Sequence, residues 1–238
     1  TYIEGCCVGG ASESNAGLYH APIGSVLDDW AQDFGIADFG AEALGPHLDK
    51  VVDEIGVSSR PDGFGPASER MAAGADAMGW RWAEIERFWK YTEASDGTVV
   101  GHRRSMSETM IPRALAAGAR LLSQTRIDRL ERSGARVTAG LGRTGCGGPD
   151  EESIRIDCKQ VVVCAGAIQT PRLLRNSGWS HVGNGLTLNP MVRIVARFPE
   201  PVNVPSYGVP VVQIEAFKPA MTIGCSYSAP PHLGMWLE

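Results

Sequence analysis

The run Val161-Val162-Val163-Cys164-Ala165-Gly166 constrains the fold more than any other stretch of this chain. Its apolar residues show no polar alternation, so both faces ask for burial, which suits a strand inside a parallel sheet. A helix is expected to begin near Thr170-Pro171, where a capping side chain and a first-turn proline fit helix N-terminal preferences. A buried strand followed by a helix, with free N–H groups just past the strand's carboxyl end, is the local plan of α/β sheets that bind nucleotides. The expected fold class is therefore α/β.

Helical spacing recurs upstream. Val26, Leu27, Trp30 and Phe34 mark a helix over 25–34 with Ser25 as its N-cap, and Leu44, Leu48, Val51, Val52 and Ile55 mark a second over 41–55. A third is predicted over 67–79, ending at Gly79, and a fourth from Ser107 to Gly118. Alternating patterns then predict strands at 120–125, 127–131, 136–141 and 153–156, a β-meander leading into the buried strand. From about Pro199 short, proline-broken apolar stretches announce a more antiparallel region. Trp80, Trp82, Phe88, Trp89 and Tyr91 are read as packing or as a pocket wall.

Composition narrows the function classes. The net charge of −5 lacks the concentrated positive footprint that phosphate backbones require, so no nucleic-acid partner is expected. No apolar run reaches membrane-spanning length, and Thr1-Tyr2-Ile3-Glu4 lacks the basic-then-apolar layout of a signal peptide, so no membrane partner and a cytoplasmic location are expected. The six cysteines are irregularly spaced with no C-x-x-C pair, and the five histidines lie far apart, so reduced thiols and no metal are expected. Ten acids oppose one lysine in residues 1–56, whereas nine arginines oppose three acids in 103–143. These are read as solvated faces or as surfaces that meet.

Gly140-Leu141-Gly142-Arg143-Thr144-Gly145 is formally G-x-G-x-x-G. A dinucleotide fingerprint must open a helix that presents N–H groups to pyrophosphate, and Cys146-Gly147-Gly148-Pro149 follows instead, so the motif is read as a loop between meander strands. The opening is richer. Gly5, Val8, Gly9, Gly10, Ser12, Asn15, Tyr19, Pro22 and Asp28 keep a spacing that, together with Gly166-Ala167-Ile168-Gln169-Thr170-Pro171-Arg172-Leu173-Leu174-Arg175-Asn176-Ser177-Gly178, resembles the two signatures of the glucose-methanol-choline (GMC) oxidoreductases. Arg104-Ser105-Met106 through Leu121 and Val182-Gly183 through Pro190 resemble further family segments, so the likeness runs over most of residues 1–200. Cys6, Ala11, Ser14, the Trp179-Ser180 pair and Asn189 depart from the family's usual residues.

The resemblance implies an FAD-binding two-dinucleotide-type fold with a β-meander and the beginning of an antiparallel substrate-domain sheet. It divides the chain into FAD-binding segments at 1–56 and 105–198, a lid or substrate-side segment at 57–104, and the start of a substrate-binding domain at 199–238. It implies FAD as cofactor, held by Val8, Gly9, Gly10, Ser12, Asn15, Ala16, Gly17 and Leu18 at the first signature, with Asn15 to Leu18 nearest the flavin ring. Ile127 would hold adenine through its main chain, and Cys164, Ala165, Gly166 and Thr170 would line the second signature. A glycine-rich loop suits the task because its backbone N–H groups can reach flavin oxygens and nitrogens and tune the reduction potential. Both signatures are expected to converge on one cofactor cradle.

The implied activity is oxidation of an alcohol CH–OH group by hydride transfer to flavin, with a small-molecule alcohol as partner. The family's pyrophosphate loop and catalytic histidine have no counterpart in these residues, so no catalytic residue is assigned. His20 and His232 do not match the catalytic position. The missing portions of the same enzyme are the other expected partner. A flavin-binding lyase such as a hydroxynitrile lyase, or a non-catalytic subunit or fragment, is the alternative.

Overall fold

The structure is a computed structural model, and it describes residues 4–226. His232 and Thr1-Tyr2-Ile3 lie outside the described residues. The chain forms two compact units, one from the residues up to Ala119 together with those from Ala196 onward, the other from Arg120–Val195.

In the first unit, helix α1 spans Gly24–Phe34 and α2 spans Ala41–Ile55. Each stops at a glycine, Gly35 (φ 63°) and Gly56 (φ 69°), whose left-handed backbone closes the last turn without a Cβ penalty. Ser25 is not the cap: α1 begins one residue earlier and has no side-chain cap, because Ile23 occupies the flanking position. The start of α2 is capped from α1 instead, where Asp28 Oδ1 accepts a hydrogen bond from Ala41 N (2.9 Å). Leu27 and Ile55 are the buried residues of the two stripes. Trp30 stays half exposed and stacks on Phe39 at 6.2 Å.

Helix α3 (Pro66–Ala77) starts on a proline whose missing N–H costs nothing in the first turn. It packs on a three-stranded antiparallel sheet of β1 (Trp82–Glu84), β7 (Val212–Ile214) and β8 (Ile223–Gly224). Ala72, Ala75, Val211, Val212 and Ile214 are its buried apolar residues, and Ser68 Oγ inside it accepts from Val211 N (3.0 Å). A hairpin of β2 (Trp89–Glu93) and β3 (Val99–Arg103) turns at Asp96-Gly97. Helix α4 (Met110–Ala116) follows, three residues later at its start than the predicted helix, and the chain turns at Gly118 (φ 92°).

The second unit holds the meander. Strands β4 (Arg126–Ser133), β5 (Arg136–Thr144) and β6 (Glu152–Asp157) pair antiparallel in sequence order, with register shifts at Ile127/Arg129 and Glu131/Arg132. Helix α5 (Gly166–Asn176) packs along β4: Leu130 N donates to the buried Ser177 Oγ (2.7 Å), which donates onward to Leu173 O (2.6 Å).

Four sequence expectations are corrected here. Residues 120–125 form no strand, because Gln124 adopts φ 50° and breaks the extended run before β4. Residues 161–165 form no buried strand either, and Val162 is 86% exposed. A parallel strand needs neighbours along both edges, and among the described residues every strand pairing is antiparallel and none involves 161–165. The helix expected near Thr170 starts at Gly166, placing Thr170 and Pro171 inside it. Gly140-Leu141-Gly142-Arg143-Thr144 is strand β5 rather than a loop, and only Gly145 lies in the turn beyond. Among the described residues no helix is long and apolar enough to cross a membrane.

Candidate functional site

The opening loop is fastened at many points. Gly9 (φ 91°) and Gly10 (φ 57°) take left-handed backbone and lead into a single 3-10 turn, Gly10–Glu13. Ser12 Oγ donates to Gly9 O (2.7 Å) and accepts from Met106 N (2.9 Å). Arg103 Nη1 donates to Glu13 O (2.8 Å), and Ser107 N donates to Glu13 Oε1 (3.3 Å). The hydroxyls of Ser107 and Ser105, with the Arg103 charge behind them, hold the Glu13 carboxyl below the usual glutamate range.

The far half of the loop is anchored to β2 and its approach. Gly17 N donates to Asn15 Oδ1 (2.9 Å), Phe88 N donates to Gly17 O (2.9 Å), and Tyr19 N donates to Glu86 O (2.8 Å). Gly17 is buried at φ 72°, and a Cβ there would fall 2.2 Å from Trp89 Nε1. The polar side chains of Ser12 and Asn15 are thus spent on shaping the loop. The Gly10 N–H is itself taken by Cys7 O (3.0 Å), so what the loop leaves for a ligand is open space at Gly10, where a side chain would meet nothing within 4 Å. Val8 is exposed, whereas Ala16 and Leu18 are half buried.

In the second unit, Cys164, Ala165 and Gly166 form an exposed approach to α5, and Gly166 (φ 79°) again has open space where a Cβ would stand. The N–H groups at the start of α5 therefore belong to residues from Gly166 on, not to Thr170, which is half buried one turn further along. Ile127 lies half buried on β4 facing Gly140 of β5. It neighbours Asp128 and Leu130, where the carboxyl end of α5 packs through Asn176 and Ser177, so Gly166 stands about 15 Å away along the helix.

Arg113 of the arginine-rich stretch bridges to Glu54 of the acidic one (2.8 Å). The bridges of Arg143 to Glu151 (2.6 Å) and Asp128 (3.2 Å), and of Arg155 to Glu131 (2.7 Å), lie within the second unit and do not involve residues 1–56. Arg60 is buried and donates to Asp62, Ser206 O (2.6 Å) and Val99 O (2.9 Å), under the Tyr207 ring. All six cysteines are unpaired. His20 is held below the ordinary histidine range by desolvation and by the Lys218 ammonium. Among the described residues no group of three or more His, Cys, Asp or Glu is arranged to hold a metal ion.

Sequence reasoning read Trp89 as packing or as a pocket wall and passed over Arg103; both hold the loop. The signal was present: Asp96-Gly97 flanked by Trp89-Lys90-Tyr91-Thr92 and Val99-Val100-Gly101-His102 is a hairpin pattern.

A glycine loop pinned by its own polar side chains and a helix entered through an open glycine agree with the two signatures read in the sequence. The family model described as GMC oxidoreductase matches residues 1–191, and the chain belongs to this family. An uncharacterised GMC-type oxidoreductase of Sinorhizobium fredii is 30% identical over 99% of this chain and 48% of its own length. Another from Mycobacterium tuberculosis is 29% identical over 83% of this chain and 32% of its own. A long-chain-alcohol oxidase of Arabidopsis thaliana is 24% identical over 84% of this chain and 28% of its own. The chain thus spans about half, or less, of the length of these relatives.

Proposed function

We propose that this chain is the flavin-holding part of an FAD-dependent oxidoreductase that acts on the CH–OH group of an alcohol. The observation that carries the reading is the loop Val8–Leu18, which commits its polar side chains to internal fastening and keeps the space beside Gly10 free of side chains. Such a surface suits a large planar ligand rich in hydrogen-bonding edges. Val8, Gly9, Gly10 and Ser12 with Asn15, Ala16, Gly17 and Leu18 would hold the ring portion, Ile127 the adenine through its main chain, and Cys164, Ala165, Gly166 and Thr170 the second signature's share. Bound there, FAD would supply the two-electron acceptor for oxidation of the alcohol to a carbonyl compound. The chain's own residues bind and orient. The base that takes the hydroxyl proton is assigned to the part of the longer relatives that this chain does not match.

The segments 57–104 and 199–238 are proposed as the substrate side, which the pairing of β1 with β7 supports. The plant relatives, long-chain-alcohol oxidases by name, supply the substrate class for a first test. Purified from its complete reading frame, the protein should be yellow and should lose its visible flavin absorption when a primary alcohol is added without oxygen. A yellow protein that no alcohol bleaches would retain the cofactor reading and remove alcohol oxidation. A colourless protein that takes up no added FAD would remove both.

A further inference from the structure

The indole of Trp89 sits in a slot made by two glycines. A Cβ on Gly17 would lie 2.2 Å from its Nε1, and one on Gly101 would lie 2.8 Å from its Cε3, so neither position has room for a side chain. Arg103, directly opposite Trp89 in the β2–β3 ladder, places its guanidinium carbon 5.7 Å from the indole centroid while its Nη1 holds Glu13 O. The Trp89 carbonyl accepts from Ser58 Oγ (2.8 Å). The indole N–H is buried and has no acceptor among the described residues, so the ring is held by shape and not by a hydrogen bond of its own. The loop crosses this ring at Gly17, whose carbonyl accepts from Phe88 N, the residue just before Trp89.

We propose that Trp89 is a positioning residue for the glycine loop: its indole, wedged against Gly17, fixes the height at which Asn15–Leu18 presents main chain to a flavin ring. The proposal rests on the flavin reading above, and it assigns to Trp89 an action through Gly17 and no contact with ligand. Arg103 extends the same support, because one side chain both caps the ring and grips the 3-10 turn at Glu13. A displaced indole therefore releases both ends of the loop together.

The test compares Trp89→Phe, which keeps an aromatic carbon near the place of Nε1 but has no N–H, with Trp89→Leu, which removes the wedge, and with Gly17→Ala, which intrudes from the other side. The first readout is amide hydrogen exchange in the flavin-free protein at Phe88 and Gly17. Exchange should quicken at least tenfold in Trp89→Leu and Gly17→Ala and stay within threefold of the parent in Trp89→Phe. The second readout is the visible spectrum and affinity of added FAD, which should change in the first two variants and hold in Trp89→Phe. Unchanged exchange in Trp89→Leu overturns the proposal. So does a Trp89→Phe variant with protected amides and an altered flavin spectrum, since that result makes the N–H a ligand contact. Should Trp89→Leu fail to fold, Gly17→Ala decides alone, and protected amides there are equally fatal. A parent protein that binds no FAD defeats the flavin reading, while the exchange pattern still decides whether Trp89 sets the loop.

Discussion

Replacing Gly142 by alanine should damage the second unit out of proportion to one methyl group. Gly142 lies opposite Ile127 in the β4–β5 ladder, at the register shift between Ile127 and Arg129. A Cβ there would stand 1.9 Å from Arg126 O and 2.8 Å from Arg126 C and Ile127 Cα, all backbone atoms, where ordinary contact begins at 3.4 Å. No rotamer change relieves such a clash, so one strand must withdraw by about 1.5 Å, the difference between 3.4 and 1.9 Å. Overpacking of this kind costs about 1–3 kcal/mol, and each ladder hydrogen bond lost adds about 0.5–1.5 kcal/mol. A total of about 2–4 kcal/mol is expected. Gly140→Ala is the control, since its Cβ would meet only the Ile127 side chain at 3.4–3.8 Å. That change should stay within about 1 kcal/mol, because the lost unfolded-state freedom offsets any mild crowding of Ile127. Urea unfolding followed by Trp179 fluorescence, with hydrogen exchange along β4 and β5, measures both variants. Equal stability of the two, or an intact ladder in Gly142→Ala, refutes the close-approach account of these glycines. Loss of FAD binding in a stable Gly140→Ala protein would restore the fingerprint reading of 140–145.

Ser177→Ala should cost about 1–3 kcal/mol in the same urea assay, because it strands the buried Leu130 N–H that donates to Ser177 Oγ. Arg60→Ala should cost about 3 kcal/mol, since it removes a buried cation and leaves Ser206 O and Val99 O without their donor. Thermal denaturation reads that loss, and a change within 0.5 kcal/mol, roughly the surface-substitution range, contradicts it. Glu13 has a folded pKa below its unfolded value, so its fastening of the loop is complete above the ordinary glutamate range and is lost as pH falls through the lowered folded value. Limited proteolysis at residues 9–18 should therefore accelerate on acidification in the parent and show no such acid step in Glu13→Gln.

The parts of the fold that the sequence foretold are those whose signals are local. The helical stripe ending in Ile55, the helix expected over 67–79 and the alternation of β5 all depend on neighbours within a few residues, and each formed near its expected place. Val161–Ala165 failed for the opposite reason: its apolar run states a demand for burial but cannot say what supplies it. The β1–β7 pairing is invisible locally, because its partners Trp82 and Ile214 lie about 130 positions apart. At the candidate site the spacing of Gly9, Gly10, Asn15 and Gly17 pointed to the loop. The residues that fasten it, Trp89, Arg103 and Met106, lie some 70 to 95 positions away, and neither the hairpin pattern around Trp89 nor the segment from Arg104 says that it meets this loop.

The discontinuity of the first unit sets an order of events at the ribosome. Strand β1 emerges about 130 residues before its partner β7, a wait of roughly ten seconds at ordinary elongation speeds. The segment Arg120–Val195 is contiguous and can complete its meander in that interval, as an insert made before its host is closed. Until β7 arrives, the Trp82–Glu84 edge stands without a mate, and nascent chains that stall in this window present it to chaperones and to one another.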